Sequence, residues 1–200
     1  MEKSKIDSHS PTRIAADPDA LEIFYRAYFD RVVAFVSRRC SSPEDVADVV
    51  ADVFVEAIRS AGRFDPSRGE PLGWLLGIAS NLLASSRRAR RRQRELESIL
   101  SGRQLLESDD YSRLESRIDA ARLAAALERA LRHLSDRERA LIELVHVEGL
   151  SALEAANALR VGPGHARMML TRARRKLLRR MGADPWQTGS RFATQEGDNR

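Results

Sequence analysis

The sequence predicts an all-α protein made of two small helical domains joined by a flexible linker. Three observations carry this. Apolar residues recur at helical spacing along nearly the whole chain. No run of period-two alternation is flanked by hairpin turns. Helix-start chemistry, a serine followed by proline or by a glutamate three residues on, recurs before the apolar runs. With 200 residues, 42% of them apolar and 32% charged, the chain can bury a core beneath a charged surface, which excludes a wholly disordered or collagen-like polymer.

Residues 1–17 are polar and expected to be disordered. A first domain, 18–94, opens with a helix from about Asp19 to Arg39, with Leu21, Phe24, Tyr25, Tyr28, Val32 and Phe35 along one side. Ser42 then caps a second helix, with Pro43 at its first position and Glu44 and Asp45 where the helix dipole favours acids; it runs to about Ser60. Residues 62–73 hold Phe64-Asp65-Pro66-Ser67-Arg68-Gly69, a loop by its proline and glycine. A third helix follows from about Leu72 through Trp74, Ile78 and Leu82 to Arg94.

Between 95 and 117 the apolar pattern thins and Gly102, Ser108, Asp109 and Asp110 break it, so this is the linker. Its 22 residues from Glu95 to Ser116 extend to at most roughly 75 Å, enough to span DNA elements a couple of turns apart. The second domain, 118–181, begins with an Ala- and Leu-rich helix near 118–131. Ser135 with Glu138, and Ser151 with Glu154, are two capping boxes. They open helices to about Val147 and Leu159. After Arg160-Val161-Gly162, Pro163 starts a final helix to about Met181, which completes helix-turn-helix spacing. Residues 182–200 read as a flexible tail.

Charge is distributed unevenly. The net +5 resides in two segments without a single acid: 71–94, with six arginines, and 166–180, with six arginines and a lysine. The remainder is weakly acidic. Two separate cationic blocks point to two places that touch phosphate. On the second helix, by contrast, Asp45, Asp48, Asp52 and Glu56 share one stripe opposite Val46, Val50, Val53, Phe54 and Ala57. That acidic face is either plainly solvated or docks a basic protein partner.

On the last helix, Ala166, Leu170, Ala173 and Leu177 form the packing stripe. His165, Arg167, Met168, Met169 and Arg172 fall in the first turns, where a recognition helix meets base edges, with Arg174, Arg175, Lys176, Arg179 and Arg180 following as phosphate anchors. Upstream of the first basic block, Trp74 and Asn81 are an aromatic and an amide suited to an unpaired base, although an indole in an apolar run also packs in cores. Cys40 is a lone thiol, and His9, His133, His146 and His165 share no metal-ligand spacing, so no metal or cofactor is expected. No phosphate-cradling glycine loop, nucleophile elbow or paired-histidine motif occurs, so no enzyme is expected. The N-terminus lacks an apolar targeting core and no apolar run spans a bilayer, which gives a cytoplasmic expectation without membrane insertion.

Taken together, Asp48-Val49-Val50-Ala51-Asp52-Val53-Phe54, then Arg63-Phe64-Asp65-Pro66 leading to Trp74-Leu75-Leu76-Gly77-Ile78-Ala79-Ser80-Asn81, then Leu134-Ser135 through Arg175 resemble a sigma factor of bacterial RNA polymerase, of the extracytoplasmic-function type in the sigma-70 family. The resemblance implies three contacts. The acidic helix corresponds to region 2.2, which docks the polymerase β′ clamp through Asp45, Asp48, Val49, Asp52 and Phe54. Regions 2.3 and 2.4 correspond to Phe64, Asp65, Arg68, Trp74 and Asn81, which open the −10 element and capture a flipped base, with Arg87, Arg88 and Arg91 on phosphate. Region 4 corresponds to the helix-turn-helix, which reads the −35 element through Gly164, His165, Arg167, Met168, Met169, Arg172, Arg175 and Lys176 and touches the β flap. The implied partners are core RNA polymerase, promoter DNA and an anti-sigma factor.

Two positions depart from the family pattern. Ala51 stands where a glutamine is usual, and Gly162-Pro163-Gly164-His165-Ala166-Arg167-Met168-Met169 replaces a more polar entry to the recognition helix. Two other readings fit parts of the sequence: a stand-alone helix-turn-helix regulator with an N-terminal dimerisation or sensing domain, and a helical scaffold whose basic blocks bind RNA or anionic surfaces.

Overall fold

The computed structural model describes residues 11–101 and 118–181. Among them every regular element is helical. The helices are α1 (Pro18–Ser37), α2 (Pro43–Ser60), α3 (Pro71–Ser101), α4 (Ile118–Arg132), α5 (Asp136–His146), α6 (Ala152–Ala158) and α7 (Pro163–Arg180), with short 3-10 turns at Pro11–Arg13, Ala61–Arg63 and Pro66–Arg68. Helices α1 to α3 form one domain and α4 to α7 the other.

The caps are those the sequence predicts. Ser42 Oγ accepts from the Asp45 amide at 3.1 Å, with Pro43 at the first helical position. Ser135 accepts from the Glu138 amide while the Glu138 carboxylate accepts from the Ser135 amide at 2.9 Å. Ser151 and Glu154 repeat the exchange. Each box satisfies donors that a helix start would otherwise leave unmade. Gly149 supplies the positive φ of 76° that closes α5.

In the first domain, Phe24, Val32, Phe35 and Val36 of α1 meet Val50, Val53 and Ala57 of α2 and Leu75, Leu76 and Ala79 of α3. In the second, Leu141 and Leu144 of α5 pack with Ala155 of α6 and with Ala166, Leu170 and Ala173 of α7. Each stripe follows the helical period that the sequence displays.

Two boundaries differ from expectation. Within the expected loose N-terminus, Pro11–Arg13 form a 3-10 turn, Asp17 caps α1, and Pro11 and Ile14 are buried against the first domain. A single proline and a single isoleucine have no periodicity, so local pattern conceals this packing. At the other end, α3 continues to Ser101, beyond Arg94. The residues after Arg94 are mostly good helix formers, and Gly102 is the first breaker. The rest of the expected linker and the tail lie outside the described residues.

Candidate nucleic-acid and polymerase interface

The acidic helix presents what its periodicity promised. Asp48 and Asp52 are exposed on α2 and form no ion pair among the described residues. Asp45 is different: Arg90 from the first basic block reaches it at 2.7 Å. Val49 and Phe54, assigned by resemblance to the docking face, are buried instead. Val49 falls beside Val53 on the helix, and Phe54 packs against Tyr25 with ring centroids 4.6 Å apart. They shape the acidic face from beneath.

The segment from Phe64 to Asn81 forms one wall of a cavity of about 300 Å³. Asp65 builds its loop, accepting from the Ser67 hydroxyl at 2.6 Å and the Ser67 amide at 2.9 Å, and these bonds hold its carboxyl below the ordinary aspartate range. Phe64 meets Trp74 edge to face at 5.5 Å. Trp74 is half-buried rather than sealed in the core, and both rings, with Ile78 and exposed Asn81, line the cavity. Arg68 lies on the same rim.

The opposite wall comes from the second domain: Glu148, Leu150, Glu154, Asn157 and Arg160. Asn157 donates to the Arg68 carbonyl at 2.8 Å. Beneath the cavity the two domains meet across glycines. A Cβ at Gly73 would stand 3.0 Å from Leu150 Cδ2, and one at Gly77 would stand 2.3 Å from the Ala158 carbonyl oxygen.

Beside this contact lies a buried charge cluster that sequence reading missed. Arg31 and Arg38 of the first domain pair with Glu148, the former at 2.8 Å. Arg39 pairs with Glu143 at 3.0 Å, and Arg139 holds the other Glu143 oxygen at 2.8 Å while donating to the Arg38 carbonyl at 2.6 Å. Glu143 and Glu148 side chains are 4% exposed. Burial lowers the Arg39 pKa to about 10, against the pull of Glu143; its guanidinium lies 3.8 Å over the Phe35 ring and stays charged at neutral pH. Its Nη1 has no hydrogen-bond partner. The sequence signal was two acids, Glu143 and Glu148, in the last turn of α5 and just beyond it, where the helix dipole disfavours them.

The basic blocks are partly engaged with the chain itself. Arg87 pairs with Asp136 at 2.8 Å, whereas Arg88 and Arg92 are exposed and form no ion pair among the described residues. The Arg91 side chain lies outside the described residues. On α7, Gly164, His165, Arg167, Met168, Arg172 and Arg175 are exposed, as the recognition reading requires. Met169 is not: it is buried in the domain core, because three residues after Ala166 it falls within the same broad apolar stripe. Lys176 is held by both Glu138 oxygens at 2.7 and 2.9 Å, and Arg174 bonds His146. Gly162 offers no side-chain cap to α7, so its first-turn amides are open to an anion.

Among the described residues no group of three or more His, Cys, Asp or Glu could hold a metal ion, and no helix is long and apolar enough to cross a membrane. Comparison with known proteins finds two regions of one family in order along the chain. Residues 24–93 match the family model for sigma-70 region 2, and residues 124–177 the model for sigma-70 region 4. The RNA polymerase sigma factor HrpL of Pseudomonas syringae pv. syringae is 32% identical over 151 residues, covering 72% of this chain and 77% of HrpL. The extracytoplasmic-function sigma factor BldN of Streptomyces coelicolor is 28% identical over 172 residues, covering 85% of this chain, which spans 63% of BldN. The structure of CnrH in complex with the cytosolic domain of CnrY superposes with a TM-score of 0.58 at 25% identity, over 90% of this chain and 99% of that one. With both regions in order on this helical architecture, the chain belongs to the extracytoplasmic-function group of the sigma-70 family of RNA polymerase sigma factors.

Proposed function

We propose that this protein directs core RNA polymerase to promoters and helps open them, acting in the cytoplasm by binding and without chemistry of its own. The observation that carries the reading is the segregation of charge. Exposed Asp48 and Asp52 form an acidic patch on α2, while the exposed face of α7 carries Arg167, Arg172 and Arg175 in a segment with no acid from 166 to 180. A carboxylate surface repels DNA and suits a basic protein rod, here the polymerase β′ clamp. A cationic helix with an uncapped N-terminus suits duplex phosphate and major-groove edges, here the −35 element, with the β flap as a further contact of this domain.

The aromatic cleft supplies the third function. Phe64 and Trp74 offer ring faces and edges, and Asn81 offers a donor and an acceptor, which together suit a base taken out of the −10 duplex. Exposed Arg88 and Arg92 lie farther along α3, where the displaced strand's phosphates would pass. The family resemblance implies an anti-sigma factor as regulator, and CnrH is itself seen bound to another protein, the cytosolic domain of CnrY.

In vitro transcription with purified core polymerase and a genomic template library tests the proposal. Discrete start sites that appear only when this protein is added support it. Tight duplex binding to a palindromic site without polymerase, and no transcripts with it, would assign the chain to stand-alone regulators instead.

A further inference from the structure

Away from the aromatic cleft, a second cavity of about 510 Å³ lies where α1 ends and α3, α4 and α5 come together. Six guanidinium groups line it: Arg38 and Arg39 just after α1, Arg87 and Arg90 on α3, Arg132 at the end of α4, and Arg139 on α5. Two carboxylates, Glu128 and Asp136, share the wall. We infer that this cavity binds a small inorganic oligophosphate, pyrophosphate or longer. Of the residues expected at promoter DNA it contains Arg87 alone, so the inference stands apart from the promoter reading.

The chain's own acids leave the wall short of negative charge. Asp136 takes Arg87 at 2.8 Å and Asp45 takes Arg90 at 2.7 Å. Glu143, outside the wall, is shared by Arg139 at 2.8 Å, Arg39 at 3.0 Å and Arg38 at 3.5 Å, and Arg38 also reaches Glu148. Exposed Arg132 forms no ion pair among the described residues. Arg39 carries the argument furthest. Its side chain is 9% exposed, yet neither Nη1 nor Nη2 makes a hydrogen bond. Burial lowers its pKa to about 10, with Glu143 opposing the drop and Arg139 and Arg38 adding to it. A buried charged donor left unmade is costly, and an anion in the cavity supplies the acceptor it lacks.

The lining selects the anion. Guanidinium forks match phosphate oxygens two at a time, and forks that converge from both domains suit a ligand with several phosphate groups better than a single one. Ser41 and Ser86 add hydroxyls at the wall. Among the described residues no aromatic ring lines the cavity, so a nucleobase attached to the phosphates gains no stacking surface.

Calorimetric titration of the full chain in magnesium-free buffer, with pyrophosphate, phosphate and ADP as separate probes, tests the site. Cys40 reports the location, because it lines the cavity and is the chain's single cysteine. One pyrophosphate should bind per chain, at least about tenfold tighter than phosphate, with ADP no tighter than pyrophosphate. At about nine times Kd, alkylation of Cys40 by N-ethylmaleimide should slow about tenfold. Arg132→Glu removes no described contact, so its thermal midpoint without ligand should match the parent, while pyrophosphate affinity should fall about tenfold or more. Arg137→Ala, at an exposed arginine nearby on α5 but outside the wall, should leave that affinity unchanged. Absence of pyrophosphate binding, binding that does not protect Cys40, or equal losses in the two variants would overturn the site. Phosphate binding as tightly as pyrophosphate, or ADP binding tenfold tighter, would overturn the choice of an inorganic oligophosphate.

Discussion

Lys176 of α7 and Glu138 of α5 form a two-pronged ion pair, with the ammonium 2.7 and 2.9 Å from the carboxylate oxygens, while the same carboxylate accepts from the Ser135 amide and hydroxyl. One side chain thus completes a helix cap and ties the helix-turn-helix to its recognition helix. Glu138→Ala should cost about 1–2 kcal/mol, the scale of a lost cap with an added tether, seen as a lower midpoint in thermal denaturation. Lys176→Met should cost less, because the cap survives it.

The same carboxylate sets an acid limit. Burial pushes the Glu138 pKa up, but the bonds from Lys176 and Ser135 outweigh it and hold the group below the ordinary glutamate value; Glu154 is likewise lowered by Ser151. A carboxyl with a depressed folded pKa contributes stability above its unfolded value of about 4.5, and loses it as pH falls through the folded value. The contribution of these two carboxyls to the unfolding free energy should therefore be constant near neutrality and fall below about pH 4.5, and Glu138→Gln should blunt that fall. Urea titrations at stepped pH measure it.

Asp48→Arg with Asp52→Arg should abolish binding to core polymerase while leaving the helical circular dichroism spectrum intact. Both carboxylates are exposed and form no ion pair among the described residues, so their replacement removes no described contact. Reversing two charges against a basic partner costs about 4 kcal/mol or more, at least about a thousandfold in Kd. Co-purification with core enzyme and competition against the unmodified protein provide the readout.

Asn81→Ala should separate melting from docking. Asn81 is exposed at the cleft, away from the α7 recognition face. Losing its hydrogen bonds to a captured base should weaken open-complex formation by about tenfold, read as permanganate reactivity of unstacked thymines. Gel-shift affinity of the same holoenzyme for closed duplex should not change.

Local chemistry explains why so much of the fold could be read in advance. Ser42 with Pro43, Ser135 with Glu138 and Ser151 with Glu154 act within one helical turn, so their spacing in sequence is their geometry in space. The exposed acids of α2 and the arginines of α7 follow from helical period alone. What sequence could not reveal is long-range. Nothing near Glu138 announces Lys176, nothing near Arg39 announces Glu143, and Gly77 reads as a weak point in a helix until the Ala158 carbonyl is placed against it. Nor does anything near the acidic stripe announce that Arg90 reaches Asp45 while Asp48 and Asp52 form no ion pair among the described residues.

The methionine pair of the recognition helix shows how narrow the margin is, and it supplies the sharpest test. Met168 is 42% exposed and Met169 is 8% exposed, although both were placed at the DNA by spacing from the helix start. One residue advances a helix by 100°, enough to carry a side chain from the groove-facing surface to the core. Met169→Ala should therefore destabilise the protein by about 2–5 kcal/mol, through lost burial and the cavity left behind, and should weaken −35 binding only to the extent that the domain unfolds. Met168→Ala should shift stability by no more than about 0.5 kcal/mol yet, on the proposed recognition role of α7, change relative affinity among −35 duplex sequences, because its side chain is exposed on that helix. Chemical denaturation paired with a competitive duplex selection distinguishes the two. Equal stability losses for both variants would show that the helix sits in a different rotational register from the one seen.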